Sequence, residues 1–166
     1  MALRGYLDIE TTGLSRNYCD LTVVGVGFES GGAFECVQLV GDKIYPGALI
    51  ELFRRAPVFY TYNGKRFDAP FIKAKLQVDL AGYATHEDLM YRCWKNDLYG
   101  GLKAVEKKLG IERKTADVDG RMAVALWYEY RNRNNKKALE LLLKYNQDDV
   151  RNLVTLREKL ESFCKV

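Results

Sequence analysis

Short apolar or alternating stretches fill the first third of the chain, which predicts β-strands. Side chains on a strand point alternately to its two faces, so such a stretch covers a core with one face at least. A fourth strand, short and apolar, is predicted just before the turn-forming pair Asn63-Gly64. The predicted strands are Leu3–Glu10, Thr22–Glu29, Ala33–Leu39 and Val58–Tyr62.

Apolar residues recur at helical spacing through most of the remaining chain. The predicted helices are Pro46–Arg55, Asp68–Leu76, Gly101–Leu109, Arg121–Tyr130 and Lys136–Phe163. Three strands in succession, then strand–helix alternation, then helices indicate an α/β fold in which helices flank a mixed β-sheet. We expect residues 1–166 to form a single domain.

The composition is that of an ordinary globular domain, with 48% hydrophobic and 29% charged residues. The longest apolar run, Leu21–Phe28, is far shorter than the ~20 residues of a membrane span. Charges at Arg4 and Asp8 argue against a secretory signal peptide, so we expect a cytoplasmic protein without membrane contact. Free thiols are expected at Cys19, Cys36, Cys93 and Cys164. The net charge of +4 is a weak indication of a polyanionic partner.

Two carboxylates share one face of the first predicted strand. Tyr6, Asp8 and Glu10 alternate with Leu7 and Ile9, so the two acids lie side by side. Their charges repel, and burial on a central strand would add to the cost, which a divalent cation would remove. The alternative is an edge strand with a solvated polar face.

Three more candidate residues lie on predicted helices. Asp68 begins the helix that follows Asn63-Gly64, where the alternative role is that of a helix N-cap. Tyr145 and Asp149 are four residues apart and therefore share a face of the last helix; core packing is the alternative for the tyrosine. At about 100° per residue, Asp149 falls inside the apolar stripe, whereas Asp148 falls at its edge and is expected to be solvated.

Three segments, taken in order, resemble the motifs of the DnaQ-like (DEDD) exonuclease superfamily. They are Tyr6–Leu14, Tyr62–Asp68 and Tyr145–Val150. The resemblance implies a ribonuclease-H-like fold and a family set of four acidic residues at Asp8, Glu10, Asp68 and Asp149. It also implies the tyrosine (DEDDy) subtype, because Tyr145 precedes the last aspartate by four residues and Lys144 stands where the other subtype has histidine. The second motif is most similar to that of the stand-alone predicted exonuclease branch.

The resemblance implies a metal-dependent 3′–5′ exonuclease that releases nucleoside 5′-monophosphates from single-stranded nucleic acid. Carboxylates are hard oxygen ligands that favour magnesium or manganese, and two such ions would activate a water and stabilise the leaving oxygen. Whether Tyr145 is a base or only orients the water stays open. Contacts with the strand are expected from Thr11, Thr12, Leu14, Asn63 and Lys65.

Other functions are left open by the residues alone. One alternative is a nucleic-acid-binding module without catalysis, and another is a ribonuclease-H-like, structure-selective endonuclease. DNA is favoured over RNA as substrate, although residue order does not decide between them. The sequence contains no polymerase or helicase domain, so we expect any processivity to come from a homo-oligomer or from a larger repair or processing partner.

Overall fold

Five strands form one mixed sheet in the computed structural model, which describes residues 2–163. They are β1 (Arg4–Thr11), β2 (Leu21–Ser30), β3 (Ala33–Val40), β4 (Val58–Thr61) and β5 (Thr85–Asp88). Their order across the sheet is β3-β2-β1-β4-β5. The first three strands are antiparallel neighbours, whereas β4 runs parallel to β1 and β5 runs parallel to β4. The expected mixed sheet is confirmed.

Helices cover both faces of this sheet. They are α1 (Pro46–Phe53), α2 (Asp68–Leu76), α3 (Leu89–Trp94), α4 (Leu102–Leu109), α5 (Gly120–Arg133) and α6 (Lys136–Phe163). On one face, Leu7 and Ile9 of β1 belong to a core that includes residues of α1 and α2. On the other face, Tyr6 of β1 belongs to a second core with Val150 and Leu153 of α6.

The position of β1 decides between the two interpretations of its carboxylates. β1 is the third of the five strands and has β2 on one side and β4 on the other, so it is no edge strand. Tyr6, Asp8 and Glu10 point to the α6 side, as the alternation predicts. The edge-strand alternative is therefore wrong, and the acids on β1 lie beneath a long helix.

The sequence pattern did not predict two of the elements, β5 and α3. The segment Thr85–Asp88 is short and almost wholly polar, so it has no apolar alternation. It becomes a strand because it extends the sheet beside β4, with Phe59 opposite His86. This non-local pairing supplies the hydrogen bonds that the local sequence does not indicate.

Two smaller expectations concern thiols and membranes. Cys19, Cys36 and Cys93 are free, while Cys164 lies outside the described residues. Between residues 2 and 163, no helix combines the length and the apolar character that crossing a membrane requires.

Candidate metal centre and active site

Three carboxylates meet where the carboxyl end of β1 passes under α6. Oxygen atoms of Asp8, Glu10 and Asp149 all lie within 4.8 Å of one another. Glu10 and Asp149 are each only 8% exposed, and Asp8 is half-buried. Asp149 faces the sheet, as the helical phase of α6 predicts. The structure thus brings together residues that are separated by about 140 positions in the sequence.

Asp68 is buried beside these three carboxylates but lies outside the closest group. It is the first residue of α2, and Phe67 occupies the N-cap position. The Asp68 carboxylate accepts a hydrogen bond of 3.1 Å from the backbone N–H of Ile9 on β1. The N-cap alternative is therefore wrong, because this side chain connects α2 to β1 instead.

Burial raises the pKa of every carboxyl group in this cluster, and repulsion from nearby carboxylates adds to the rise. Burial is the largest cause, and for Asp8 and Glu10 the next is the neighbouring Asp149. Burial raises the pKa of Asp68 to about 7. It raises the pKa of Asp149 to about 6, although the Arg113 guanidinium opposes this rise. The cluster therefore carries negative charge that the protein compensates incompletely, and oxygen donors of this kind fit a hard divalent cation.

A cleft of about 290 Å³ opens onto the carboxylates. Tyr145, which is 8% exposed, lines it one helical turn before Asp149. The cleft is lined by Asp8, Tyr62, Gly101, Leu102, Lys103, Asp119, Gly120, Tyr145 and Asp149. Burial and the nearby carboxylates raise the pKa of Tyr145, so its hydroxyl keeps its proton at neutral pH.

A buried amide chain holds Asp8, and the sequence did not reveal it. Asn146 on α6 donates from Nδ2 to Asp8 Oδ2 at 3.0 Å and to the Asp8 carbonyl at 3.2 Å. Gln38 on β3 donates to Asn146 Oδ1 at 2.9 Å and to the Leu143 carbonyl at 2.8 Å. The Leu143 carbonyl can only accept, so the Gln38 group that faces it must be the NH₂ group. Because this NH₂ group also donates to Asn146 Oδ1, the NH₂ group of Asn146 is the one that faces Asp8.

This amide chain needs a glycine beneath it. A Cβ at Gly25 would lie 2.1 Å from Asn146 Oδ1 and 2.9 Å from Val150 Cγ2. We expect Gly25→Ala to destabilise the fold by about 1–3 kcal/mol through overpacking. We also expect it to weaken binding of Mg²⁺ or Mn²⁺ by about tenfold or more, because Asp8 loses its donor. Urea unfolding and calorimetric metal titration measure the two effects.

Gly27→Ala is the matched control for this substitution. A Cβ at Gly27 would meet Val150 Cγ1 at 2.7 Å and Phe34 Cε2 at 2.8 Å, away from Asn146. It should therefore destabilise the protein similarly and leave metal affinity near the wild-type value. Equal metal affinities in the two variants would show that Asn146 does not position Asp8.

A second missed residue is Arg113, in the loop between α4 and α5. Its guanidinium donates to both carboxylate oxygens of Glu106, at 2.8 and 2.7 Å, and to Asp149 Oδ1 at 2.5 Å. Glu106 is only 1% exposed. No periodicity in the sequence connects this loop arginine with a carboxylate on a helix.

The sequence model that describes the RNase H superfamily matches residues 5–161. This is nearly the whole chain. The chain belongs to the RNase H superfamily. Its five-stranded mixed sheet flanked by helices is the ribonuclease-H-like fold that the motifs implied. No curated protein sequence matches the chain.

Solved structures similar to this RNase H superfamily member include exonucleases. A family B DNA polymerase from the archaeon Pyrobaculum calidifontis aligns over 98% of the chain and 25% of its own length, with a TM-score of 0.74 and 18% identity. A nuclease in its apo form aligns over 96% of the chain and 72% of its own length, with a TM-score of 0.60 and 22% identity. The zinc-bound Escherichia coli ExoI–ssDNA complex aligns over 92% of the chain and 45% of its own length, with a TM-score of 0.50 and 16% identity.

These likenesses establish the fold, and the resemblance to DnaQ-like exonucleases is confirmed at that level. The chain spans a quarter of the polymerase and less than half of ExoI. The activity and substrates of those longer proteins therefore come to this superfamily member only as proposals.

The residues expected to contact a nucleic acid lie in two loops. The Thr11 hydroxyl donates to the Gly13 carbonyl at 2.7 Å, and the Thr12 hydroxyl accepts from the Asp20 N–H at 2.9 Å. Both hydroxyls thus stabilise their own loop. The Thr11 hydroxyl uses its proton in this bond, whereas the Thr12 hydroxyl accepts and can still donate to a ligand. Leu14 in the same loop is 87% exposed, which suits an apolar contact with a ligand.

The other loop contains Asn63 and Lys65. Asn63 has φ of 60°, and its carbonyl accepts from Phe67 N–H at 3.0 Å, so it shapes the turn before α2. Asp88 at the end of β5 holds this turn by accepting from the N–H groups of Asn63 and Lys65, at 2.8 and 3.0 Å. The Lys65 side chain is exposed. Its contact with a phosphate stays a prediction.

Asp148 differs from its expected position. The helical phase predicts a solvated side chain, but Asp148 is half-buried and accepts from the Thr115 N–H at 2.8 Å and the Thr115 hydroxyl at 2.6 Å. The loop between α4 and α5 covers this edge of α6. The expectation of a solvated Asp148 is therefore wrong, and this residue anchors the loop that contains Arg113.

Proposed function

We propose that this chain is a metal-dependent 3′–5′ exonuclease that hydrolyses the phosphodiester bonds of single-stranded nucleic acid and releases nucleoside 5′-monophosphates. The observation that carries the proposal is the meeting of Asp8, Glu10 and Asp149 within 4.8 Å of one another, beside a cleft that Asp8 and Asp149 line. Membership of the RNase H superfamily supports a nuclease activity. DNA is favoured over RNA as the substrate.

The proposed mechanism uses two divalent cations, Mg²⁺ or Mn²⁺. Asp8, Glu10 and Asp149 would hold them, with Asp68 as the fourth acidic residue beside this group. When bound, such cations supply an acidified water and charge stabilisation for the scissile phosphate. The hard oxygen atoms of these carboxylates favour such cations over zinc.

Tyr145 would orient the attacking water by hydrogen bonding. The reference pKa of tyrosine is about 10, and burial and the surrounding carboxylates raise it further. A phenol of this kind keeps its proton and is a poor base at neutral pH. Between the two roles that the sequence left open, this supports orientation over proton abstraction.

The exposed loop after β1 would bind the 3′ end of the strand. Leu14 is 87% exposed and Tyr18 is 89% exposed, and the loop begins directly after the carboxylates of β1. Apolar and aromatic side chains of this kind stack on or wedge against bases. Lys65, exposed beyond the Asn63 turn, would contact the backbone of the strand.

Digestion of 5′-labelled single-stranded DNA and RNA tests the proposal. With Mg²⁺ or Mn²⁺ the strand should shorten in a ladder, a 3′-phosphate should delay the start, and chelator should stop the reaction. Asp117→Asn, a change at an exposed aspartate, serves as the matched control for Asp8→Asn.

The same assay separates the alternatives. Rapid cutting of a circular single strand would replace the exonuclease with an endonuclease. Binding of the strand without turnover in either metal would indicate a non-catalytic binding module. Full turnover in excess chelator, with negligible metal verified, would exclude the metal mechanism.

Tyr145→Phe should lower turnover by about 10–100-fold and leave metal affinity nearly unchanged. The change removes only the hydroxyl group that would orient water and keeps the ring that packs in the core. Single-turnover kinetics and a calorimetric metal titration measure the two effects. Tyr128→Phe, at a tyrosine that is 47% exposed on α5, is the control. A wild-type rate with chemistry limiting would remove Tyr145 from the mechanism.

A further inference from the structure

A positive charge lies inside the carboxylate cluster. Arg113 has a side chain that is only 6% exposed, and its Nη2 group donates to Asp149 Oδ1 at 2.5 Å. The guanidinium carbon also lies 5.6 Å from the centre of the Tyr145 ring. A cation therefore already neutralises one of the three carboxylates that meet at the end of β1.

Contacts on the opposite side of the Arg113 guanidinium from Asp149 hold the guanidinium in place. Glu106 on α4 binds Arg113 through both carboxylate oxygens, and Asn152 on α6 donates to Glu106 Oε1 at 3.0 Å. The chain Glu106–Arg113–Asp149 thus connects α4, the following loop and α6. Because Glu106 is 1% exposed, the arginine cannot swing into solvent without leaving a buried charge unpaired.

The pairing does not satisfy Arg113 completely. Its Nε atom is buried and has no hydrogen-bond partner among residues 2–163. A buried donor without a partner is costly, so a salt bridge optimised only for stability would not be expected to leave one. The arrangement favours contact with Asp149 over full satisfaction of the guanidinium.

We propose that Arg113 is a built-in counter-ion that positions Asp149 before metal binds and lowers the metal affinity of the site. It stabilises the metal-free cluster by pairing with one carboxylate. A divalent cation that takes Asp149 as a ligand must compete with this pair and must bind next to a fixed positive charge. This inference rests on the proposed metal-dependent function, since it assigns Arg113 a role toward that metal.

Two measurements on Arg113→Gln test the inference without any nuclease assay. The melting temperature in chelator should fall, because Asp149 loses its partner. The affinity for Mn²⁺, measured by calorimetry at constant pH, should rise by about tenfold, because a competing positive charge is gone. A purely structural arginine would move both quantities in the same direction, since a loosened site binds metal more weakly.

Two further variants keep the test decisive. If Arg113→Gln does not fold, the double variant Glu106→Gln/Arg113→Gln avoids an unpaired buried Glu106 and should show the same opposite changes. Arg113→Lys keeps the charge and should keep the affinity within about twofold. Arg133→Gln is the control, because the Arg133 side chain is 75% exposed and pairs with Glu129 at the surface of α5.

The outcomes separate the two proposals. If the wild-type protein binds Mn²⁺ and the affinity of Arg113→Gln falls or stays unchanged, the counter-ion role is overturned and the proposed function stands. If the wild-type protein binds neither Mn²⁺ nor Mg²⁺, the metal-dependent function itself fails, and the role of Arg113 fails with it.

Discussion

Asp8→Asn is expected to abolish nuclease activity and to stabilise the metal-free protein. Activity should fall by more than about a hundredfold, the upper end of the loss for a residue that only supports a metal ligand. Without metal at pH 8, the unfolding free energy should rise by about 1.5–3 kcal/mol, the contribution of a hydrogen bond to a charged group. The change replaces one of three mutually repelling carboxylates with an amide.

The geometry around Asp8 accommodates this substitution. Asn146 Nδ2 donates to Asp8 Oδ2, and an asparagine keeps one oxygen there to accept that bond. Its amide nitrogen then adds a donor to a cluster of acceptors, within which Glu10 and Asp149 lie close to residue 8. The gain should be smaller at pH 5 than at pH 8, because a raised pKa makes these groups take up protons earlier as the pH falls. Urea unfolding in chelator at both pH values measures it.

Asp149→Asn separates charge repulsion from loss of activity. It should be equally inactive but should not gain stability, because Arg113 already compensates Asp149. Breaking a buried ion pair usually destabilises. Helical phase places Asp149 inside the apolar stripe of α6, and in the structure its charge is paired with that of Arg113. The repulsion between Asp8 and Glu10 remains. A lower melting temperature for Asp8→Asn at pH 8 would contradict the interpretation of the cluster.

The central part of the site could be predicted because its geometry is local. Alternation along β1 places Asp8 and Glu10 on one face, and helical phase places Asp149 toward the sheet. The two-residue alternation of a strand and the 3.6-residue repeat of a helix are properties of the backbone, so these faces can be predicted without knowing which elements pack against them. The resemblance to the DnaQ-like motifs supplied the remaining step, because it implied a ribonuclease-H-like sheet, in which β1 is the central strand.

The partners of these carboxylates could not be predicted because they depend on tertiary contacts. Arg113 is a loop residue without periodicity, and its position follows from Glu106 on α4 and from Asp149 on α6. Asp148 has the phase of an edge position, yet Thr115 of the same loop covers it. Helical phase identifies the face on which a side chain lies but not which loop covers that face.

The amide chain behind Asp8 also depends on tertiary contacts and therefore could not be predicted from the sequence. Asn146 follows Tyr145 on α6, and its importance becomes visible only when Gly25 of β2 and Gln38 of β3 lie beneath it. A glycine in a strand is a weak indication of close backbone approach, but it does not identify what approaches. The contact joins residues more than 100 positions apart, so only the folded structure reveals it.

The stability of the metal-free protein is expected to fall as pH rises from 5 to 8. Burial raises the pKa of Asp68 to about 7 and that of Asp149 to about 6, and it also raises those of Asp8 and Glu10. In the unfolded chain these groups titrate near about 4. The folded protein therefore binds more protons than the unfolded chain in this window, and stability must decrease with increasing pH.

The expected size of this effect is large for a domain of this length. One carboxyl group that keeps its proton for about two pH units longer than in the unfolded chain contributes about 2.7 kcal/mol. The melting temperature in chelator should therefore fall by at least about 5 °C between pH 5 and pH 8. His86 acts in the opposite direction, because burial lowers its pKa, but it is one group against four.

Divalent metal should remove this pH dependence. Because the cation binds the deprotonated carboxylates, Mg²⁺ at a hundred times its dissociation constant should add about 2.7 kcal/mol at pH 8 and much less at pH 5. Scanning fluorimetry over this range, with Mg²⁺ or chelator, measures both slopes, and Asp8→Asn/Glu10→Gln should flatten the slope in chelator. If the melting temperature in chelator stays level or rises with pH, the carboxylates are compensated by the protein itself. The strongest physical reason for a metal at this site would then be gone.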